Sequence, residues 1–480
     1  MSNSKYTKMQ VDSLMFTSKA TDFEDDEKSD FRTYKRRYYM LTLFSVCNVL
    51  NVTCWISSFL IRYHYEDLYG VSFFKARLAA LLYPLLYLPS LLVATYIYNK
   101  YSLRVALYIG VILLAIGSWI KISINYSFEV MLVGQTIWAF GWPFFVNAPA
   151  LLATRWFESS KRTIAITIAS SSAIVGMFIG AVIPRIIVDR DYVFEEETGK
   201  VVGEKELKHQ IMISFIIQGG WWVLLMILVL TTFQNKPEVP PSTDAIVYRD
   251  NDLVGTYWLL FTNREFLKLS LTFSLYFSVV SSLALCSDKI IKKFDYNDHD
   301  DELFEIISVI SGIVGSLLYG IFLHKFKVFK LANIAIGIST LVSLIALTIW
   351  VNFEQKHVTA FLYGLVGFCA YPIVMLWYLY SSEIAYPIKE TTASGVFLLG
   401  CLIISTATTQ ILKNVVMKQL DNKAGALISM SILILMTAIG LLLAILMRPI
   451  NYERIAYIQN NVASNSFIAN EASKHKLPKL

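Results

Sequence analysis

Between residues 383 and 395 the chain reads EIAYPIKETTASG, which gathers two carboxylates, a lysine, four hydroxyl side chains and a proline into one short stretch. Glu383, Tyr386 and Glu390 can cap helix ends, pair with arginine or lysine, and exchange hydrogen bonds. Catalysis asks for other spacings: HExxH, CxxC, GxSxG and phosphate-loop patterns do not occur, and His64, His209 and His299 lie in loop stretches without spaced partners. An enzyme is therefore the class the sequence supports least, and no cofactor or metal ligand set is expected. The chemistry that remains is reversible, made of polar contacts that form in one conformation and break in another. A second candidate is Trp55, which falls in the middle of an apolar stretch with Asn51 one helical turn before it. A tryptophan at that depth has no lipid interface to anchor to, and its ring face can hold a cation by about 2 kcal/mol or more once water is excluded.

The elements that must position these residues are set by composition. Hydrophobic residues make up 55% of the chain and charged ones 16%, which places it among integral membrane proteins. A hydrocarbon core about 30 Å thick needs roughly 20 apolar residues of helix. Twelve segments meet that need: 39–61, 78–98, 105–120, 130–154, 164–184 and 211–232, then 267–287, 303–324, 331–351, 358–380, 392–412 and 424–447. Lipid cannot satisfy open backbone groups and barrel strands would be shorter and alternating, so these segments read as helices and the fold class as all-α. Residues 383–395 then join the tenth and eleventh helices.

The spaces between the helices give the organisation. Six spans, the hydrophilic connector 233–266 and six further spans form the layout of a transporter built from two related halves, 39–232 and 267–447. The tails 1–38, with the acidic run DFEDDEKSD, and 448–480 read as disordered and cytoplasmic, with no cleavable secretory signal at the start. Lys35, Arg36 and Arg37, Lys100 and Arg104, Arg155, Lys161 and Arg162, and Lys325, Lys327 and Lys330 all flank spans on the side of the N-terminus, so both termini are expected in the cytoplasm. Lys289, Lys292 and Lys293 are a local exception beside the acidic DYNDHDDE. The net charge of +6 is what basic cytoplasmic loops produce and does not point to nucleic acid. Cys47, Cys54, Cys286, Cys369 and Cys401 fall in or at the end of spans, where they read as small apolar residues rather than disulfides. The sequon at Asn125 sits in a turn too short for glycosylation to be expected.

The central two thirds of every expected span lack Asp, Glu, Lys and Arg. Proton relays and ion sites usually put such groups at the midplane, so their absence favours gradient-driven uniport over proton symport.

Four stretches carry a resemblance: FSVCNVLNVTCWISS in the first helix, GQTIWAFGWPFFVNAPALLATRWF through the fourth, FQNKPEVPPS in the connector, and EIAYPIKETTASG. In that order they resemble the major facilitator superfamily and, within it, the feline leukaemia virus subgroup C receptor-related branch, solute carrier family 49. The fourth stretch is the most specific, since Glu383, Tyr386, Pro387, Glu390, Ser394 and Gly395 match together. The resemblance implies two six-helix bundles with a solute cavity between them, lined by helices that carry Trp55, Trp138, Trp142, Tyr276 and Trp377. Trp55 coincides with the family's helix 1 tryptophan, which contacts choline in the relatives that carry it, and Asn51 also matches. By position, Glu383, Tyr386 and Glu390 at the end of helix 10 are expected to belong to a cytoplasmic gate, with Arg155 and Arg162 of the facing lobe as candidate partners. Departures stand at Trp142 and Leu402, where relatives often have Gln, and at Ser281, where they have Tyr. Asn99 and Ser102 replace the acid and glycine usual after helix 2. The resemblance favours a choline- or ethanolamine-like cation as solute and a monomer in the plasma membrane or an organelle membrane. A haem or vitamin carrier, a non-transporting membrane subunit or receptor, and a channel stay open; His324 and His357, at span ends, do not form a convincing haem-ligand pair.

Overall fold

A chain this apolar must pair its backbone internally, and it does so by folding almost entirely into helices. The computed structural model describes residues 31–61, 65–187, 194–195, 200–201, 203–242, 245, 253–386, 388–416, 420 and 422–448. Most of both expected tails, most of the acidic loop and Pro387 lie outside the described residues.

Among the described residues, eleven helices are long and apolar enough to span a membrane, and counting one bent pair as a span gives twelve in order: span 1 Arg36–Ile61, span 2 Leu81–Lys100, span 3 Leu103–Asn125, span 4 Phe128–Val146 with Pro149–Trp156, span 5 Arg162–Pro184, span 6 Glu204–Thr232, span 7 Arg264–Phe294, span 8 His299–Phe326, span 9 Phe329–Phe353, span 10 Lys356–Ile384, span 11 Glu390–Asn414 and span 12 Lys423–Leu446. Each overlaps its expected segment. Several begin on a polar cap: Ser102 accepts from the Val105 amide, Ser127 from Val130, Asn263 from Glu265 and Phe266, and Asn422 from Gly425. The connector holds a short apolar helix, Leu253–Thr262, where only hydrophilic chain was expected.

Span 4 is not one helix. Pro149 lacks an N–H and crowds the turn before it, and the axis bends by 41° across Asn147 and Ala148. Span 10 has a related interruption at Tyr371, which precedes Pro372 as Trp142 precedes Pro143.

The halves repeat one packing scheme. Span 1 packs on span 5 as span 7 packs on span 11; span 3 meets spans 4 and 6 as span 9 meets spans 10 and 12; span 2 lies on span 4 as span 8 lies on span 10. The lobes touch through span 5 with span 8 and span 2 with span 11, again a symmetric pair. Leu85, Ile321, Val342 and Leu442 stand exposed around the outside, where lipid covers them.

The side on which span 1 begins is called here the terminal side and the other the far side. A continuous apolar core crosses both lobes towards the terminal side, from Tyr98 and Leu151 to Tyr378 and Leu398. Towards the far side the cores separate, one holding Tyr65 and Phe215 of the first lobe and the other Cys286 and Tyr363 of the second. The lobes are thus joined on the terminal side and parted on the far side.

Candidate functional site

Span 1 owes its fixed position to close approach. A Cβ at Gly176 would collide with the Val49 carbonyl and one at Gly180 would stand 2.7 Å from the Thr53 carbonyl, so this small-residue pair lets spans 1 and 5 touch backbone to backbone. Thr53 Oγ1 donates to the Gly176 carbonyl at 3.1 Å, Ser57 Oγ to Gly180 at 3.2 Å, and Asn48 Nδ2 to Ala169 at 3.2 Å. These bonds fix the rotation of span 1 and present Trp55, half buried, with its ring 5.5 Å from Trp142 and 5.9 Å from Tyr83. Tyr87 lies edge-on to Trp142 at 5.3 Å, and Tyr83 edge-on to Trp138 at 5.0 Å. Asn51, one turn before Trp55, is 0% exposed, and neither its amide nitrogen nor its oxygen has a hydrogen-bond partner. A dry, unpartnered amide costs about 1–3 kcal/mol unless a ligand or water meets it.

On the far side the lobes part around a cleft that communicates with solvent. Its walls are Ile56, Phe59 and Leu60 of span 1, Met177 and Phe178 of span 5, and the far halves of spans 7, 8 and 10. The span 1 lining begins at Ile56, the residue after Trp55, while the Trp55 ring itself packs on Trp142 and Tyr83. The walls are mainly apolar; Glu305 of span 8 is the one ionisable acid among the described lining residues.

The terminal side is closed by the broken helix itself. Bending span 4 frees carbonyls that a straight helix would pair, and each finds a hydroxyl. Tyr98 of span 2 donates to the Phe144 carbonyl within the first lobe. Tyr378 of span 10 donates to the Val146 carbonyl, and Ser394 of span 11 donates to Asn147 at 3.1 Å, both from the second lobe. Tyr87 adds bonds to Asn147 Oδ1 at 2.8 Å and, across the lobes, to the Gly395 carbonyl at 3.3 Å. Glu390, 2% exposed, accepts from Thr154 Oγ1 at 3.1 Å. Lys389 Nζ reaches the last carbonyls of span 2, Tyr98 at 3.3 Å and Asn99 at 3.1 Å. The negative end of that helix thus supplies what the missing acid at Asn99 would.

Of the gate residues expected from sequence, Glu390 lies in this closed contact, next to Thr154, which neighbours Arg155. Tyr386 is buried and Glu383 half buried beside it. Arg162 Nη2 donates to Ser242 of the connector at 3.2 Å and to Ser159 at 3.5 Å. Among the expected solute contacts, the structure brings Trp55 and Trp142 together, with Asn51 one helical turn before Trp55 and Trp138 against Tyr83. It does not bring Tyr276 or Ser281 to them: the Tyr276 ring packs against Gly337 and Gly440, between spans 9 and 12, and Ser281 donates to the Phe277 carbonyl of its own helix at 2.8 Å. Trp377 is buried and stacked on Tyr378 at 4.6 Å, and Leu402 is buried.

Residues that the sequence did not single out complete the arrangement. Tyr83 and Tyr87 stand four residues apart on span 2, a helical spacing that marks a shared face. Lys121, one residue past the expected segment 105–120, is 0% exposed: Nζ donates to Ser58 Oγ at 3.1 Å and lies 4.9 Å from the Phe215 ring centre and 5.6 Å from that of Trp138. Rings and a hydroxyl, rather than a carboxylate, surround this ammonium among the described residues. No group of three or more His, Cys, Asp or Glu that could hold a metal ion occurs among the described residues.

Comparison with known proteins agrees with the architecture. Residues 41–409 match the Major Facilitator Superfamily. The choline/ethanolamine transporter FLVCR2 of Rattus norvegicus is 28% identical over 377 residues, 77% of this chain and 67% of that one, and its Homo sapiens counterpart is 28% identical over 382 residues, 77% and 70%. The crystal structure of the E. coli fucose:proton symporter superposes with a TM-score of 0.65 at 16% identity, covering 87% of this chain and 100% of that one, which is a likeness of fold alone.

Proposed function

The chain belongs to the major facilitator superfamily, and we propose that this multi-pass membrane transporter carries a small organic cation of the choline or ethanolamine kind by alternating access, as a facilitative uniporter. The observation that carries the proposal is the aromatic group around mid-span Trp55, which is half buried against Trp142 and Tyr83 one residue before the cleft lining begins at Ile56. A quaternary ammonium has no proton to donate and needs ring faces rather than a hydrogen-bond acceptor. The unpartnered amide of Asn51 suits a hydroxyl on the same solute. The relatives named choline/ethanolamine transporters support the same substrate class.

The closed terminal side and open far side correspond to one of the two end states of a rocking carrier. Basic residues on the terminal side support placing it in the cytoplasm, so the state described is the one that loads from outside. Residues 39–232 and 267–447 are the two rocking units of this scheme, and the contacts of Glu383, Tyr386, Glu390, Arg155 and Arg162 belong to its inner gate. Uniport is supported by the lack, among the described residues, of a carboxylate in ring contact range of Trp55 that could load a proton; Glu305 lies on the far half of span 8. A charged solute then follows its gradient and the membrane potential, worth about 2.3 kcal/mol per charge per 100 mV.

Uptake by cells producing the protein, screened with choline, ethanolamine, haem and pyridoxine, tests the substrate class. Saturable uptake of choline or ethanolamine is expected, unchanged by a protonophore when the potential is clamped. Uptake of haem or pyridoxine alone would overturn the cation assignment, and collapse with the protonophore would overturn uniport.

A further inference from the structure

We propose that the connector helix Leu253–Thr262 seats its exposed face in the lipid leaflet of the terminal side, at the boundary between headgroups and acyl chains, so that the bilayer surface is the partner of this segment. The helix reads LVGTYWLLFT, without a charged side chain. Its ten residues reach about 15 Å, roughly half of what a hydrocarbon core needs, so it does not cross the membrane. Val254, Trp258 and Phe261 are 80%, 73% and 52% exposed, and spacings of four and three residues put them on one stripe. Three large apolar side chains held together on the outside call for a cover. An uncharged stripe with a tryptophan in it suits the zone where acyl chains give way to headgroups.

The depth of the stripe is fixed from both ends of its surroundings. After the helix, Asn263 accepts from the Glu265 and Phe266 amides and turns the chain into span 7, where Arg264 and the Lys268–Glu265 ion pair at 2.9 Å mark the polar level. Leu267 and Leu271, exposed on span 7, continue the lipid-facing surface directly beyond it. On the adjoining face of the connector helix, Leu260 is buried and Tyr257 packs against the core that the lobes share, its hydroxyl beside Thr95 of span 2. Thr95 lies five residues before the end of span 2 at Lys100, about 7–8 Å along the helix axis. Next to it Tyr96 and Lys100 stand exposed, with Lys100 Nζ donating to the Tyr96 hydroxyl at 2.7 Å, the aromatic and basic pairing expected where a span leaves lipid. The Trp258 stripe is therefore held at the depth of this belt, continuous with the lipid-covered surface of spans 2 and 7.

The test reads the position of the helix directly and does not depend on which solute is carried. An environment-sensitive fluorophore is attached at Val254→Cys, at Trp258→Cys and, as a control, at Glu238→Cys, an exposed connector position, each in the full chain reconstituted into phosphatidylcholine liposomes; the five native cysteines are buried. Emission from the first two is expected to shift to the blue relative to the control. It should be quenched more by lipids carrying a nitroxide high on the acyl chain than by lipids carrying it near the methyl end, placing the label about 5–10 Å into the interface. The Glu238→Cys label should stay aqueous and be quenched by iodide. Val254→Cys keeps Trp258 in place, and thermal unfolding that matches the parent separates a displaced helix from a damaged fold. Aqueous emission at both positions with no quenching by either lipid would overturn the seat. Protection that appears only as the protein-to-lipid ratio is raised would overturn it too, marking a second copy of the chain as the occupant.

Discussion

Replacing Tyr378 by Phe removes one hydroxyl and nothing else, and the structure says which state should suffer. That hydroxyl donates from the second lobe to the Val146 carbonyl, freed by the bend in span 4. Both residues are buried, so the variant leaves a dry carbonyl unpaired, at about 1–3 kcal/mol. The cost falls only on the state in which the lobes meet on the terminal side, because parting them lets water reach the carbonyl. The ratio of terminal-closed to terminal-open molecules should fall roughly 5- to 150-fold. A cysteine introduced at Ala284, in the cleft wall, reports this through labelling by a membrane-impermeant thiol reagent from the far side; the five native cysteines are all buried. Labelling should slow in Tyr378→Phe. Tyr98→Phe removes a comparable bond to the Phe144 carbonyl within one lobe, so it should lower stability in both states and leave the labelling rate alone. Equal effects of the two variants, or none from Tyr378→Phe, would refute the idea that freed carbonyls of span 4 form the inner latch.

Trp55→Ala should weaken choline binding by about 1–2 kcal/mol, roughly 5- to 30-fold in Kd, measured by equilibrium binding to purified protein. Gly176→Leu should wedge spans 1 and 5 apart, lowering thermal stability by about 1–3 kcal/mol or more and reducing delivery to the membrane, which thermal unfolding in detergent and surface labelling report. Lys121→Met should leave stability unchanged or raised and uptake intact, since the ammonium faces rings and a hydroxyl away from the cleft; Lys121→Glu, unable to make those contacts, should be strongly destabilised, by about 3–5 kcal/mol.

The twelve spans and their two-by-six grouping were legible because lipid imposes one pattern, a long apolar run, on every segment that crosses it. Trp55 stands out in the sequence for the same reason, as an aromatic residue at a depth where interface anchoring does not apply, and the structure sets its ring against Trp142 and Tyr83. Its partners were not. Tyr83 and Tyr87 look like any aromatic residues in an apolar run, and only the packing of span 2 on span 4 turns them towards Trp138 and Trp142. Tyr276 shares a cavity-lining helix in the resemblance, yet the absence of side chains at Gly337 and Gly440 gives its ring a place between spans 9 and 12. Lys121 and Glu305 sit within a few residues of span ends, where sequence reads a charge as solvated; the 3-10 turn Ile122–Asn125 continues span 3 past Lys121 and keeps it inside. The prolines of span 4 were visible, but which hydroxyls meet the freed carbonyls depends on the opposite lobe, more than 200 residues away in sequence.

The most direct test of the account is counterflow of labelled choline into proteoliposomes holding purified protein, parent and Trp55→Ala side by side, with the membrane potential clamped. The account predicts saturable exchange by the parent, insensitive to an imposed proton gradient, and a raised apparent KM in Trp55→Ala. Exchange no faster than in empty liposomes with both choline and ethanolamine, or parental exchange in a folded Trp55→Ala variant, would contradict it.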